Sequence, residues 1–139
     1  MTINDCTLIE LPTFKDHRGC LTLIDDRFVT QALPFKPQRC FWLHSLKADS
    51  SRGEHAHRTC WELLVAISGS FSLTLHDGKE TKTFCLDSPT RGVIIPPMVW
   101  CKLWNFSEES VCYVIASEDY TPEGYINDFQ AFLKEFDND

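Results

Sequence analysis

Through most of this chain apolar residues fall in short runs, or alternate with polar ones, between recurring turn signals. Ser70-Phe71-Ser72-Leu73-Thr74-Leu75 alternates with period two, the mark of a half-buried strand. Cys6–Ile9, Cys20–Ile24, Cys40–His44, Glu62–Ile67, Lys82–Leu86, Gly92–Ile95 and Val111–Ala116 are β-prone in the same way. His76-Asp77-Gly78-Lys79 reads as a hairpin turn, with glycine supplying the positive φ that tight turns need. Short strands spaced by about 8–12 residues predict a closed all-β sandwich or barrel over residues 1–121. The period changes only in the tail. From Pro122 onward, Tyr125, Ile126, Phe129, Phe132, Leu133 and Phe136 mark one apolar face, which predicts a C-terminal helix over 122–136 packed outside the barrel. The whole chain, 1–139, reads as one domain.

With 139 residues, 43% hydrophobic, the chain is long enough to bury a core without a metal or disulfide staple. Thirteen basic and twenty acidic side chains give a net charge of −7, which argues against nucleic acid as the main partner. A small anionic ligand is still compatible, because a local site needs only two or three arginines. No apolar run approaches the roughly 20 residues of a membrane span. Met1-Thr2-Ile3-Asn4-Asp5 has neither the basic nor the apolar region of a secretory signal. The seven cysteines are odd in number and form no CxxC, so reduced thiols in the cytoplasm are expected.

The densest polar cluster is Arg52-Gly53-Glu54-His55-Ala56-His57-Arg58, followed by Glu62 and Gly69. Residues i and i+2 of a strand share a face, so His55 and His57 project together. Two imidazoles facing an enclosed lumen suit either metal ligation or proton transfer, and the pattern alone leaves both open.

This spacing resembles the first cupin motif, HxHx4Ex6G, through His55, His57, Glu62 and Gly69. The second, roughly PxGx2Hx3N, is partly matched by Pro96 and Asn105, with Met98 in the glycine position and Cys101 in the histidine position. A resemblance over nearly the whole chain is closer still. Arg52-Gly53-x-His55-x-His57-Arg58, Leu64-Val65, Ser68-Gly69-Ser70, Leu86-Asp87-Ser88-Pro89, Gly92, Pro96, Trp100, Ala116-Ser117-Glu118-x-Tyr120 and Tyr125-Ile126 look like the WxcM-like sugar-nucleotide 3,4-ketoisomerases.

That resemblance implies a cupin jelly-roll homodimer that turns a dTDP-4-keto-6-deoxyhexose into its 3-keto isomer, with residues 1–30 contributing to the dimer. The product would feed deoxyaminosugar synthesis for surface polysaccharides such as the O-antigen of lipopolysaccharide. Moving a ketone from C4 to C3 removes an acidic C3 proton and reprotonates C4 through an enediol, a task for one base of near-neutral pKa. By resemblance His55 is that base, with His57 orienting it or relaying protons. Arg52, Arg18, Arg39, Trp100 and Cys101 are the implied substrate-binding residues, with Arg52 the candidate for oxyanion or diphosphate charge. No cofactor is expected.

Three positions depart from the family. Arg39-Cys40-Phe41-Trp42 stands where many members carry an active-site tyrosine, and Phe41 has no hydroxyl. Glu62 replaces the usual glutamine, and Cys101 follows Trp100 where the family tends to have histidine or arginine. Two alternatives follow. The chain is a non-catalytic dTDP-sugar-binding cupin that has lost its acid, or His55, His57, Glu62 and Cys101 hold zinc or iron.

Overall fold

The computed structural model describes residues 1–137. In chain order the strands are β1 (Thr7–Glu10), β2 (Thr13–Asp16), β3 (Gly19–Thr22), β4 (Arg39–Leu43), β5 (Arg52–His57), β6 (Glu62–Ser68) and β7 (Phe71–His76). They continue with β8 (Thr81–Leu86), β9 (Arg91–Ile95), β10 (Trp100–Trp104), β11 (Val111–Ala116) and β12 (Tyr125–Ile126). Two short helices, α1 (Asp26–Ala32) and α2 (Phe129–Lys134), complete the chain.

Two five-stranded antiparallel sheets face each other, ordered β1-β9-β6-β11-β4 and β12-β5-β10-β7-β8, while β2 and β3 form a separate hairpin. The expected jelly-roll sandwich is therefore present, and β-strand alternation sorts its side chains cleanly. Leu64 and Ala66 of β6, Leu73 and Leu75 of β7, Val114 of β11 and Leu103 of β10 meet between the sheets in one apolar core. The alternate residues Leu63 and Val65 of β6 point outward, where Phe28 of α1 and Phe35 cover them. On the other sheet, Ala56 faces out and is sealed by Ile126 and Phe132. Among the described residues no helix is long and apolar enough to cross a membrane.

Turn chemistry closes the strands as expected. Gly78 takes φ +99° in the β7–β8 turn and donates its N–H to His76 Nδ1 at 2.9 Å. Gly69 takes φ +66° after β6, and a Cβ there would lie 2.4 Å from Ser107 Oγ, so both conformation and space demand glycine. Met98, in the motif's glycine position, keeps the left-handed backbone at φ +60° despite its side chain.

The tail corrects the expected helix over 122–136. Pro122–Gly124 forms a single 3-10 turn, Tyr125–Ile126 adds to the sheet as β12, and the helix starts only at Phe129. Proline and glycine break the segment, and pairing with the free edge of β5 satisfies the backbone of Tyr125 and Ile126. Asp128 then caps α2, its Oδ2 accepting from Ala131 N at 2.9 Å. The barrel thus runs to residue 126. Helix α1 carried no apolar period strong enough to read, and its start is set by Asp25, whose side chain accepts from Phe28 N.

Phe132 is fully buried and ties α2 to the sheet against Trp100, His76, Phe129 and Phe136. Replacing it with alanine is expected to cost about 3–5 kcal/mol through lost contacts and a cavity. Urea unfolding checks this, and a loss below about 1 kcal/mol would show that α2 does not clamp β12.

Candidate active site

Strand β5 is paired on both edges. Tyr125 lies opposite His57 on β12, and Cys101 lies opposite His55 on β10. Residues directly opposite in an antiparallel pair share a face with Cβ atoms about 4.5–5.5 Å apart, so these four side chains are grouped by the ladder. The Tyr125 ring centre is 4.9 Å from that of His55 and 4.5 Å from that of His57, and the two imidazoles are 4.9 Å apart.

A bulge extends the set. Between Cys101↔His55 and Lys102↔Gly53 the register slips, leaving Glu54 without a partner at φ +58° after Gly53 at φ +78°. Strict alternation from His55 would turn Arg52 outward. With the bulge, Arg52 lies opposite Leu103, a residue of the inner core, and shares a cavity wall with His55.

That cavity has a volume of about 170 Å³ between the two sheets. Arg52, His55, Glu62, Cys101 and Tyr125 supply its polar lining, and Phe41 is among its apolar walls. His57 and Glu62 are buried, with His57 Nε2 only 3.2 Å from Glu62 Oε1. The geometry at that oxygen does not meet hydrogen-bond criteria, so Nε2 makes a close polar contact and is left without a hydrogen-bond partner among the described residues. Arg39 sits beside the cavity at the end of β4. Its guanidinium lies 5.1 Å above the Phe41 ring, and Nη2 donates to the Tyr125 hydroxyl at 3.5 Å. Its buried Nε has no partner among the described residues.

Electrostatics separate the roles. Burial above all, then the neighbouring His57, pushes His55 below its ordinary value of 6.5, against a smaller opposing pull from Glu62. His55 is therefore a neutral imidazole at neutral pH, able to accept a proton. Burial pushes the Cys101 thiol far up, with Glu62 adding to the effect, so Cys101 lines the cavity as a neutral thiol. Donor atoms of His55, His57 and Glu62 lie within 4.8 Å of one another, a spacing that fits a three-donor set for zinc or iron. Cys101 is not part of that group. A metal there would supply Lewis-acid polarisation of a ketone.

Of the residues singled out from the sequence, His55, His57, Arg52, Glu62 and Cys101 come together, and Arg39 joins them at the edge. Two do not. Trp100 precedes Cys101 on the strand and so faces the opposite side, packing on Phe129 and Phe132 with centroids 5.3 and 5.8 Å away. Arg18 lies at the β2–β3 turn outside the cavity of its own chain, with its side chain 80% exposed and paired to Asp16 at 2.6 Å. Tyr125 was absent from the sequence-derived set because its apolar spacing read as helix. The Pro122-x-Gly124 break before it was the available signal.

The depressed His55 has a measurable consequence. The native state takes up this proton later than the unfolded chain, so stability falls as pH drops below 6.5 until His55 is protonated. Ring NMR titration, assigned with His55→Asn, should give a His55 midpoint below 6.5. A midpoint above it would contradict the assigned environment.

The chain is similar to known proteins over nearly its whole length. The family described as "FdtA: WxcM-like, C-terminal" matches residues 4–137. The chain is 34% identical over 127 residues to a TDP-4-oxo-6-deoxy-α-D-glucose-3,4-oxoisomerase of Aneurinibacillus thermoaerophilus, covering 91% of this chain and 89% of that one. It superposes with a TM-score of 0.90 and 28% identity on a variant of the 3,4-ketoisomerase QdtA from Thermoanaerobacterium thermosaccharolyticum, a structure in complex with TDP-4-keto-6-deoxyglucose, covering 96% and 95% of the two chains. A 3,4-ketoisomerase from Helicobacter canadensis matches with a TM-score of 0.90 and 29% identity over 96% and 98%. With the paired histidines on β5, the cavity that His55 lines and a match over nearly its full length, the chain belongs to the WxcM-like family.

Proposed function

We propose that this protein is an enzyme that converts TDP-4-keto-6-deoxyglucose to its 3-keto isomer. The observation that carries this reading is a neutral His55 on a cavity wall shared with Arg52, in a chain whose relatives are 3,4-ketoisomerases. His55 removes the C3 proton, the C3–H electron pair forms the C3=C4 bond, and the C4 oxygen gains a proton to give the enediol. Collapse toward a C3 ketone then lets the same imidazolium return a proton to C4. His57, fixed by the Tyr125 pairing and by Glu62, orients His55 or relays protons to it. Arg52 and Arg39 serve the diphosphate or the developing oxyanion, since guanidinium groups bind phosphate oxygens bidentately.

The reaction runs on protein groups without a metal. Cys101 lies outside the donor group of His55, His57 and Glu62, which speaks against the four-ligand centre. Incubation with TDP-4-keto-6-deoxyglucose should yield the 3-keto product, seen by NMR, and chelator should leave the rate unchanged. His55→Asn should lower kcat at least 100-fold, the usual scale of a lost general base, with TDP affinity retained. TDP binding by the wild type without turnover would overturn the ketoisomerase reading, and rate loss on chelation would overturn the metal-free one.

The protein acts as a homodimer in the cytoplasm, in deoxyaminosugar synthesis for surface polysaccharide. Its free cysteines fit a reducing compartment. Support for the dimer comes from residues 1–30 and the nearby sheet. Phe14 and Leu21 on the β2–β3 hairpin are 61% and 57% exposed, and a groove of about 690 Å³ runs over the outer face of the β6–β11 sheet. Such a surface needs a cover, and a second copy presenting the same hairpin supplies one. Sedimentation at micromolar concentration should give the mass of two chains, and a single 16.0 kDa species would remove the dimer.

A further inference from the structure

The geometry points to Tyr125 as the proton donor to the sugar ketone, in place of the hydroxyl that β4 lacks at Phe41. The inference rests on the ketoisomerase reading and adds to it the acid that the histidine pair does not provide. Phe41 and Tyr125 both line the small cavity, and Phe41 is bare hydrocarbon there. Tyr125 is brought to the same space from another element, by the pairing of β12 with β5, and its ring packs against both imidazoles.

The hydrogen bonds of its hydroxyl leave the proton free to be given away. The only partner of the hydroxyl among the described residues is Arg39 Nη2 at 3.5 Å. A guanidinium has five donors and no acceptor, so the Tyr125 oxygen accepts in that contact. Its own O–H is left uncommitted, beside the base that would withdraw the C3 proton. The same arginine stabilises negative charge on that oxygen as the proton leaves. Burial, the larger influence, holds the hydroxyl above its ordinary value of 10.0 and Arg39 partly offsets it, so Tyr125 stays protonated and ready to donate through the neutral range.

The proton balance closes without a further reactant. As His55 takes the C3 proton, the C3–H pair becomes the C3=C4 bond and the carbonyl π pair moves onto O4, which takes the Tyr125 proton. In the second half the tyrosinate recovers a proton from the O3 hydroxyl, the C3=O bond forms, and the C3=C4 pair takes the proton held by His55 at C4. O3 and O4 are on adjacent carbons, so one hydroxyl group serves both by a small shift. Tyr125 and His55 end as they began.

Tyr125→Phe keeps the ring that packs on the histidines and removes only the hydroxyl. With TDP-4-keto-6-deoxyglucose as substrate, kcat is expected to fall at least 100-fold while KM and calorimetric TDP affinity stay within threefold. Adding Phe41→Tyr to this variant returns a hydroxyl to the cavity wall from β4 and is expected to recover at least tenfold. A Tyr125→Phe enzyme within threefold of wild-type kcat would overturn the proposal and leave the ketoisomerase reading intact. So would a loss confined to KM and TDP affinity, the signature of a structural role. A wild-type protein with no turnover would instead remove the underlying reading.

Discussion

Everything in the cavity hangs on the double pairing of β5. Its ladder with β10 sets Cys101 across from His55, and its ladder with β12 sets Tyr125 across from His57. Antiparallel pairing specifies such neighbours strongly, because a slip of one residue would turn every side chain to the other face. The strand interior is therefore a rigid mount, and a rigid mount lets a base reach two adjacent carbons. The clamp reaches further than the ladder. Phe132 and Ile126 seal Ala56 from outside, so α2, remote from the chemistry, holds β12 and with it Tyr125.

The polar groups inside this apolar shell are energetically exacting. A buried carboxylate is costly unless partnered, and among the described residues Glu62 has the His57 Nε2 contact at 3.2 Å and no hydrogen bond. That arrangement does not favour stability for its own sake. Its effect is on His55, which feels desolvation and the neighbouring imidazole more strongly than the carboxylate and is left neutral. Arg39 is a second instance. Stacked on Phe41 and with no Nε partner among the described residues, it keeps an unsatisfied donor beside the small cavity. Both residues fall short of ideal hydrogen bonding at the place where a substrate would complete it.

How much of this could be read from the chain depended on the range of the interaction. The paired histidines were legible because period two is local, and so were the strands that carry the core. Trp100 and Cys101 fall on opposite faces by the same rule, since adjacent residues of one strand cannot both face the lumen. Arg52 was named through family likeness, while alternation alone would have turned it away from the cavity wall it shares with His55. The bulge at Glu54 reverses that, and only Gly53 hinted at it. Tyr125 was lost because a two-residue strand is too short to show a period, and its neighbours Ile126, Phe129 and Phe132 supplied a helical one. Arg18 sits on a hairpin whose direction no local pattern dictates.

The central claim is that His55 moves hydrogen as a proton between C3 and C4. His55 is partly open to solvent at the cavity, so a proton held there would exchange with water before delivery. The direct measurement is turnover of TDP-4-keto-6-deoxyglucose in D₂O, with the product examined by NMR. Deuterium at C4 of the 3-keto product, absent when His55→Asn is used, is the expected result. A 3-keto product formed at full rate with no solvent deuterium at C4 would mean that hydrogen crosses without passing through an exchangeable base, and the account built on His55 would be wrong.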